Sequence, residues 1–271
     1  GITTKTNISD STITNNNFIA NNRAIYFADG SDDGFTSSVR NTISNNNFFD
    51  NTNTAILLAR GDQVSADNNV ISNNNIKGIT TSTLNGITLD GGRYNVIDNN
   101  VIIGVVDGIE ITGGGVGYAD YNNITNNDLI NNSQGIRLDG ADYAYLELNK
   151  IEFMNQIGIN LLSSSYSTFH DNHIVGAGQQ GIKVGMSPTQ ATSNNNLFYR
   201  NNFLANADSA IDYGNNYWNT TSEGNFWQDF NEGGEGCVDV NINGFCDAGY
   251  DINTGGASTT PEQATGVDHF P

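Results

Sequence analysis

The chain has 271 residues, including 31 glycines and 3 prolines, and a formal net charge of −19. This acidic balance excludes binding to nucleic-acid phosphates, which requires clustered lysine and arginine, but it is compatible with cation binding or a solvated surface. The apolar content is too high for a disordered chain, and no apolar run approaches the roughly 20 residues of a membrane span.

A double motif repeats from residue 12 to about residue 213. Its first half is an apolar residue, two variable residues, an asparagine, one mostly polar residue and a second apolar residue, as in Ile13 to Phe18. Its second half is a small residue, isoleucine, one variable residue and an apolar residue, as in Gly108 to Ile111. Successive repeats start 22 to 30 residues apart, a length that is typical of a solenoid. The asparagines of the first halves are Asn16, Asn46, Asn74, Asn99, Asn127, Asn149, Asn172 and Asn201.

Both halves alternate apolar and polar residues with a period of two, which predicts short β-strands, and no segment shows a sustained helical period. The sequence therefore predicts an all-β fold, a single-stranded right-handed parallel β-helix of about eight coils over residues 1–214. An irregular acidic C-terminal cap is expected over residues 215–271. A β-propeller is the rival repeat architecture, but its blades need about 40 residues or more.

The recurring asparagine has a structural explanation. Asparagine tolerates the left-handed backbone region of a sharp turn, and side-chain amides stacked about 4.8 Å apart hydrogen-bond along the stack. We therefore predict that the eight asparagines form a ladder that serves folding rather than function.

The repeats resemble those of the pectin-lyase-like superfamily, in particular the NosD-like and archaeal or bacterial surface proteins. Residues 224–230, GNFWQDF, resemble the GN-aromatic-W-x-D-aromatic segment that often ends such helices. Residues 239–252 and 268–271 resemble the acidic tail of that group, although no proline precedes Tyr250. The resemblance implies a secreted or cell-surface solenoid, and many members of the superfamily cleave or epimerise acidic polysaccharides.

The tail contains the two cysteines, Cys237 and Cys246, whose short spacing favours a local disulfide over two free thiols. Between them, oxygen-bearing side chains alternate before Gly244, as in an EF-hand calcium loop, although the twelfth position is tyrosine rather than glutamate. A solvated acidic turn is the alternative. The predicted calcium ligands are Asp239, Asn241, Asn243, the carbonyl of Phe245, Asp247 and Asp251.

One row of outward positions on the second strand of each repeat carries candidate chemistry. The row reads Thr88, Glu110, Arg137, Asn160, Lys183 and Asp212, with Asp90 and Asp139 two residues beyond it on the same side. A paired-carboxylate site needs two acids about 5–9.5 Å apart, and a lyase needs a base beside a cation. An ordinary exposed ladder of opposite charges is the alternative. The candidate catalytic residues are Asp90, Glu110, Arg137, Asp139 and Lys183.

Two further groups are weaker candidates. His170 and His173 are spaced to bind a metal, but a solvated pair in a turn is the preferred interpretation. A tyrosine-rich region, which contains Tyr118, Tyr121, Tyr143 and Tyr145, is expected to be half-buried loop packing rather than a platform for sugars.

These observations favour an extracellular or cell-surface β-solenoid with a structural or adhesive role. Self-association through the solenoid ends, head to tail, is a variant of this hypothesis, because open ends expose strand edges. The alternative is a carbohydrate-active enzyme, a lyase or hydrolase, acting along one sheet face. The start at Gly1, without a recognisable signal peptide, indicates either a mature product or an expression boundary.

Overall fold

The computed structural model describes residues 1–4, 7–27, 38–59, 66–78, 84–113, 119–187, 189, 193–230, 237, 250–252 and 267–268. These residues form three parallel sheets that wind into a β-helix, and they contain no helix and so none that could cross a membrane. The predicted all-β solenoid is confirmed, and sheets of nine, eight and nine strands agree closely with the predicted number of coils.

The strands follow the chain around the solenoid, one strand of each sheet per coil. Sheet 1 consists of β1 (Ile2–Thr4), β5 (Arg23–Phe27), β9 (Thr54–Ala59), β12 (Asn85–Asp90), β15 (Asp107–Thr112), β18 (Gln134–Asp139), β21 (Ile157–Leu162), β24 (Gln180–Val184) and β27 (Asp208–Asp212). Sheet 2 consists of β3 (Thr12–Thr14), β7 (Thr42–Ser44), β10 (Val70–Ser72), β13 (Val96–Asp98), β16 (Asn123–Thr125), β19 (Tyr145–Glu147), β22 (Thr168–His170) and β25 (Leu197–Tyr199). Sheet 3 consists of β4 (Asn17–Ile19), β8 (Asn47–Phe49), β11 (Asn75–Lys77), β14 (Val101–Ile103), β17 (Asp128–Ile130), β20 (Lys150–Glu152), β23 (His173–Val175), β26 (Asn202–Leu204) and β28 (Phe226–Trp227). Two short pairs complete the described strands: β2 (Ile8–Ser9) with β6 (Ser38–Val39), and β29 (Tyr250–Asp251) with β30 (Val267–Asp268).

The core is a column of like residues stacked in register. Ile87 lies between Ile56 and Ile109 in sheet 1, and Ile71 lies between Ile43 and Ile97 in sheet 2. All of these side chains are fully buried. Branched side chains that repeat at one strand spacing pack on one another along the column, which explains why isoleucine recurs at these positions.

Sharp turns end the short strands, and they use the left-handed backbone region. Between sheets 2 and 3 the left-handed residue directly precedes the ladder asparagine, as in Asn45 before Asn46 and Asn73 before Asn74. The prediction that the ladder residue itself adopts this conformation is therefore wrong. The tolerance of asparagine for positive φ explains the first residue of each pair, whereas side-chain hydrogen bonding explains the second.

The asparagine ladder is confirmed, with one correction. Asn74 accepts the backbone and side-chain N–H groups of Asn46 at 3.0 and 3.1 Å, and donates to Ile43 O at 2.9 Å and Asn100 Oδ1 at 3.0 Å. The rung in this coil is thus the buried Asn100, while Asn99 is exposed and left-handed. The ladder also continues past Asn201 to Asn225.

A second ladder, which the sequence did not reveal, lies at the turn into sheet 2. Its buried asparagines are Asn41, Asn69, Asn95 and Asn122, and each donates to the next through its side chain at 3.0 Å. Two polar ladders on either side of sheet 2 satisfy the backbone groups of both turns, which keeps the coils in register.

Aromatic rings close the described C-terminal end of the column. Trp218 stacks on Phe198, and Trp227 lies between Phe203 and Tyr250 with ring centroids 4.3 and 4.4 Å apart. The predicted calcium ligands Asp239, Asn241, Asn243, Phe245 and Asp247 lie outside the described residues, as does Cys246. Asp251 belongs to β29, and Cys237 packs partly buried against the core.

Candidate functional site

Sheet 1 presents two polar rows on its outer face. In each long strand a small residue and the following isoleucine are both buried, as Gly108 and Ile109 are, so the residues before and after this pair both lie outward. The first row includes Asn85, Asp107 and Gln134, and the second row includes Thr88, Glu110, Arg137, Asn160 and Lys183.

Side chains join the two rows by hydrogen bonds between coils. Asn85 Nδ2 donates to Glu110 Oε2 at 3.1 Å, and Asn160 Nδ2 donates to Gln134 Oε1 at 2.8 Å. Both bonds cross from one row to the other and fix the side chains in a flat polar surface. We call this surface, formed by the two rows between Asn85 and Lys183, the polar face.

An ion-pair network lies at its centre. Arg137 Nη1 donates to Glu110 Oε1 at 2.5 Å, and Arg137 Nη2 donates to Asp139 Oδ2 at 2.7 Å. Arginine stays protonated at neutral pH, and here both of these N–H donors are engaged. Arg137 therefore holds two carboxylates in place.

Asp107 is the most perturbed acid of the polar face. It is 8% exposed, and burial raises its pKa to about 6, with the nearby Glu110 carboxylate adding to the increase. Its Oδ1 atom is buried and has no hydrogen-bond partner among the described residues. An acid of this kind changes protonation near neutral pH and accepts hydrogen bonds when ionised.

Two further buried oxygens of the polar face are also unpaired within the described part of the chain. These are Thr88 Oγ1 and Asn160 Oδ1. Asn160 is 8% exposed and uses its Nδ2 but not its Oδ1. Buried acceptors without partners are rare in folded proteins, because each costs about 1–3 kcal/mol. Three of them on one face indicate a place where a ligand or ordered water donates.

The structure brings most of the predicted catalytic candidates to this face. Asp90 and Asp139 lie two coils apart, as predicted, with Thr112 between them in the register and its Oγ1 3.2 Å from Asp90 Oδ1. Lys183 lies next to Asn160 in the second row. No catalytic role of these residues is tested by the structure, so all five remain candidates.

Asp212, the last residue of the predicted outward row, points inward. Ile211 pairs with Lys183, so Asp212 pairs with Val184 and is buried. It accepts hydrogen bonds from Trp218 Nε1 at 2.9 Å, Asn216 Nδ2 at 2.8 Å and the Gly214 amide at 2.7 Å. Burial raises its pKa against the effect of these donors. Asp212 thus anchors the aromatic end of the core and belongs to no surface row.

Sequence reasoning missed the first row, Asn85, Asp107 and Gln134. Each of these residues directly precedes the glycine of the small-isoleucine motif, and strict alternation assigns such a position to the inner face. The signal that reveals them is the occurrence of a polar residue at a fixed place in successive repeats, directly before a glycine that is itself buried.

The loops that vary in length adjoin sheet 1. Residues 28–41 separate β5 from β7, whereas only residues 140–144 separate β18 from β19. By contrast, two residues connect sheet 2 to sheet 3 in each coil, as Asn45 and Asn46 do. Insertions in repeat proteins concentrate on the face that binds ligands, which makes the outer face of sheet 1 the leading candidate.

A second polar cluster lies on the outer face of sheet 2. His170 Nδ1 is 2.6 Å from Asp171 Oδ2, and His170 Nε2 is 2.7 Å from the Tyr145 hydroxyl. Glu147, His170 and Asp171 place one ligand atom each within 4.8 Å of one another, an arrangement compatible with a metal ion. Arg200 binds both oxygens of Asp171, so this carboxylate of the cluster is already paired. His170 is buried and His173 begins a strand of sheet 3, so the predicted solvated pair is wrong.

Comparison with known proteins gives one family and a set of structural neighbours. Residues 82–232 match the model of the family described as periplasmic copper-binding protein (NosD). No curated protein matches the chain.

Solved β-helix structures resemble the chain at low sequence identity. The A-module of the Azotobacter vinelandii mannuronan C-5 epimerase AlgE4 is 14% identical with a TM-score of 0.50, covering 74% of this chain and 62% of its own. The AlgE6 A-module is 12% identical with a TM-score of 0.47, and the match covers 72% of this chain and 66% of the module. The Dettilon tailspike protein is 16% identical with a TM-score of 0.44, and the match covers 63% of this chain and 45% of the tailspike chain. The chain spans less than two thirds of each neighbour, and at these identities the likeness shows the fold alone.

Proposed function

Because this chain belongs to the NosD family, we propose that it is a periplasmic or extracellular β-helix protein that binds a linear, uncharged polysaccharide along the polar face. The location follows the family description, and the names of the structural neighbours, a tailspike and two mannuronan epimerases, are compatible with a surface or carbohydrate-related role.

The unpaired buried oxygens of the polar face carry this proposal. Asp107 Oδ1 and Asn160 Oδ1 accept hydrogen bonds, and Thr88 Oγ1 both donates and accepts. Each of these atoms is buried, so sugar hydroxyl groups supply the missing donors through bridging waters or after the covering side chains move aside. An acidic polysaccharide fits less well, because Asp107, Glu110 and Asp139 outnumber the cations there and the whole chain carries −19.

The periodicity of the solenoid supports a linear ligand. Equivalent positions of the two rows repeat at the strand spacing of about 4.8 Å, parallel to the solenoid axis. An extended polysaccharide repeats its hydroxyl groups at a comparable interval, so successive sugars meet equivalent positions in successive coils. A small molecule would use only one coil and leave the other unpaired oxygens without donors.

Calorimetry with neutral and uronate oligosaccharides tests the proposal. We expect a neutral series to bind, and Asp107→Ala and Asn160→Ala each to weaken binding about tenfold, the equivalent of 1.4 kcal/mol. Asn47→Ala, at an outward asparagine of sheet 3, is the matched control and should bind normally. Absence of binding to every neutral oligosaccharide, or a preference for uronates, would contradict the proposal.

A carbohydrate-active enzyme is the second candidate, and Asp107 is the observation that favours it. A carboxyl group with a pKa of about 6 beside the Glu110 carboxylate has the arrangement of a general acid and its ionised partner. However, Arg137 and Asn85 already bind Glu110. Chromatography of incubated oligosaccharides separates the two functions, because only an enzyme releases shorter or modified products.

The copper of the family description does not fit the Glu147–His170–Asp171 cluster. Copper prefers sulfur and imidazole ligands, whereas the Glu147–His170–Asp171 cluster offers one imidazole with both nitrogens hydrogen-bonded. Of the two methionines, Met154 is buried in the core and Met186 is exposed after strand β24. We therefore assign no copper chemistry to this cluster.

Several predictions from the sequence remain proposals. These are the adhesive role, the calcium-stabilised loop over residues 239–251, the disulfide between Cys237 and Cys246, and head-to-tail self-association. The aromatic rings that cover the described C-terminal end argue against simple stacking of coils at that end, because no open apolar column is left there.

A further inference from the structure

Four exposed tyrosines form a continuous stack along the turn between sheets 1 and 2. Their ring centroids are 5.2, 4.8 and 5.2 Å apart, and successive ring planes differ by 8–13°. Between 43% and 52% of each residue is exposed. The tyrosine stack consists of Tyr94, Tyr121, Tyr143 and Tyr166. Its two middle members fell in the region predicted to be half-buried loop packing, and that prediction is wrong for them.

The backbone at these positions disfavours tyrosine. All four residues are left-handed, with φ between 55° and 59°, a region where a bulky side chain is an outlier. In the neighbouring coils the same turn carries Asn68 and Asn195, both at φ 58°. Asparagine is the natural residue for this turn, so four consecutive tyrosines are retained against local preference.

The stack presents edges rather than faces to solvent. Each inner ring is covered on both faces by its neighbours, so a sugar ring has no free aromatic face on which to stack except at the two ends. What remains exposed is a flat ribbon of ring edges and hydroxyl groups parallel to the solenoid axis. The ribbon extends over three coil spacings, roughly 15 Å.

Carboxylates border the ribbon. Asp120 and Asp142 directly precede two of the tyrosines, and each uses Oδ1 to accept a backbone N–H of the next coil, at 3.1 and 2.7 Å. Among the described residues of this border, Arg93 is the one arginine, and it is already paired with Asp67 at 3.6 Å. The border is therefore anionic on a chain of net charge −19.

We propose that the tyrosine stack is a binding site for elongated, planar, positively charged aromatic molecules that lie along the solenoid axis. A rigid flat molecule covers several ring edges at once without losing conformational freedom, and its charge complements Asp120 and Asp142. This site is separate from the polar face, and the proposal does not depend on carbohydrate binding.

Thioflavin T, a planar benzothiazolium cation that fluoresces when its rings are held coplanar, is the probe. We expect saturable fluorescence with the wild-type chain and at least a tenfold weaker affinity for the double variant Tyr121→Asn/Tyr143→Asn. This variant installs the residue that neighbouring coils carry at the same φ, so it should fold. Circular dichroism and the melting temperature check that it does.

Two controls decide between the site and general adsorption. Phe153 is an exposed aromatic residue outside the stack, and its backbone is also left-handed, at φ 59°. Phe153→Asn should therefore leave thioflavin T binding unchanged. Congo red, a planar anion of similar shape, should bind at least tenfold more weakly than thioflavin T. Retained thioflavin T binding in the double variant, or equal binding of the anionic dye, overturns the proposal.

Discussion

At the scale of single residues, two adjacent asparagines have opposite roles. In the segment VIDNNVII, the first-half motif fits both from Val96, with Asn99, and from Ile97, with Asn100. The neighbouring coils decide between the two frames, because Ile97 and Ile102 are buried in register with Ile71 and Ile76. The sequence of one repeat cannot distinguish these two frames. The choice depends on which frame continues the ladder that the adjacent coils have already fixed.

Replacing each of these asparagines tests the corrected ladder. Asn100→Ala removes hydrogen bonds to Ile71 O and Asn127 Oδ1 and leaves the amide of Asn74 without an acceptor. We expect a loss of roughly 3 kcal/mol in the free energy of unfolding, measured in urea. Asn99→Gly keeps the left-handed turn and should cost less than about 1 kcal/mol. Equal losses in the two variants would reject the assignment of Asn100 as the rung.

Asp107 makes stability depend on pH in a defined direction. Its pKa is about 6 in the folded chain against 3.8 as the usual value, so folding favours the protonated form. The contribution of Asp107 to stability is therefore greatest below pH 4 and is lost as the pH rises through 6. At 1.36 kcal/mol per pKa unit, the total loss is about 2–3 kcal/mol.

Asp107→Asn isolates this effect, because the amide has a similar shape and no charge. We expect the variant and the wild type to differ little in the pH dependence of unfolding below pH 4. As the pH rises from 4 to 7, the free energy of unfolding of the variant should increase by about 2–3 kcal/mol relative to that of the wild type. Urea denaturation at pH 4, 5, 6 and 7 measures the difference, and parallel stability curves would show that Asp107 titrates normally.

At the scale of elements, the long strands of sheet 1 depart from simple alternation. The inward pair of a small residue and isoleucine follows from the repeat, and so do the buried column and the parallel register. The first polar row does not follow from the repeat, because it depends on a bend in the strand that places two consecutive residues inward. The inward Asp212 was also missed, because the motif fits Ala210 to Tyr213, whereas the observed register pairs Ala210 with Ile182 and turns Ile211 outward. The tyrosine stack needs the lengths of the intervening turns, which no local pattern supplies.

The bend in these strands requires a glycine in the middle coils. A Cβ atom on Gly135 would lie 2.5 Å from Gly158 O and 2.7 Å from Ile151 Cγ2. Gly135→Ala should therefore destabilise the chain by about 1–3 kcal/mol through overpacking. Ala55→Gly, at the same position of an earlier coil, should cost at most about 1 kcal/mol, the usual penalty for glycine in a strand. Thermal unfolding of both variants compares the two costs, and an unchanged melting temperature for Gly135→Ala would contradict the steric argument.

At the scale of the whole molecule, the two ends of the described solenoid differ. The C-terminal end is closed by stacked rings and by the Tyr250 hydroxyl, which donates to Asp229 Oδ2 at 2.9 Å. At the other end, Ile2, Ile8 and Ile13 are only partly buried against the core. In a solenoid each coil is stabilised by its neighbours, so a closed end protects the coils behind it. The predicted calcium loop over residues 239–251 follows Cys237, which packs against the core, and includes Tyr250, which belongs to this closed end.

Calcium bound in that loop should therefore stabilise the whole solenoid. A ligand that binds only the folded chain adds about 1.4 kcal/mol for each tenfold increase in its concentration above the dissociation constant. We expect the melting temperature to rise with calcium after treatment with a chelator, and much less with magnesium, which binds poorly to large flexible oxygen cages. Asp239→Ala/Asp247→Ala should abolish the calcium-dependent rise, whereas Asp90→Ala, an exposed acid of sheet 1, should retain it. The calcium loop is rejected if calcium leaves the melting temperature unchanged, or if the double variant responds as the wild type does.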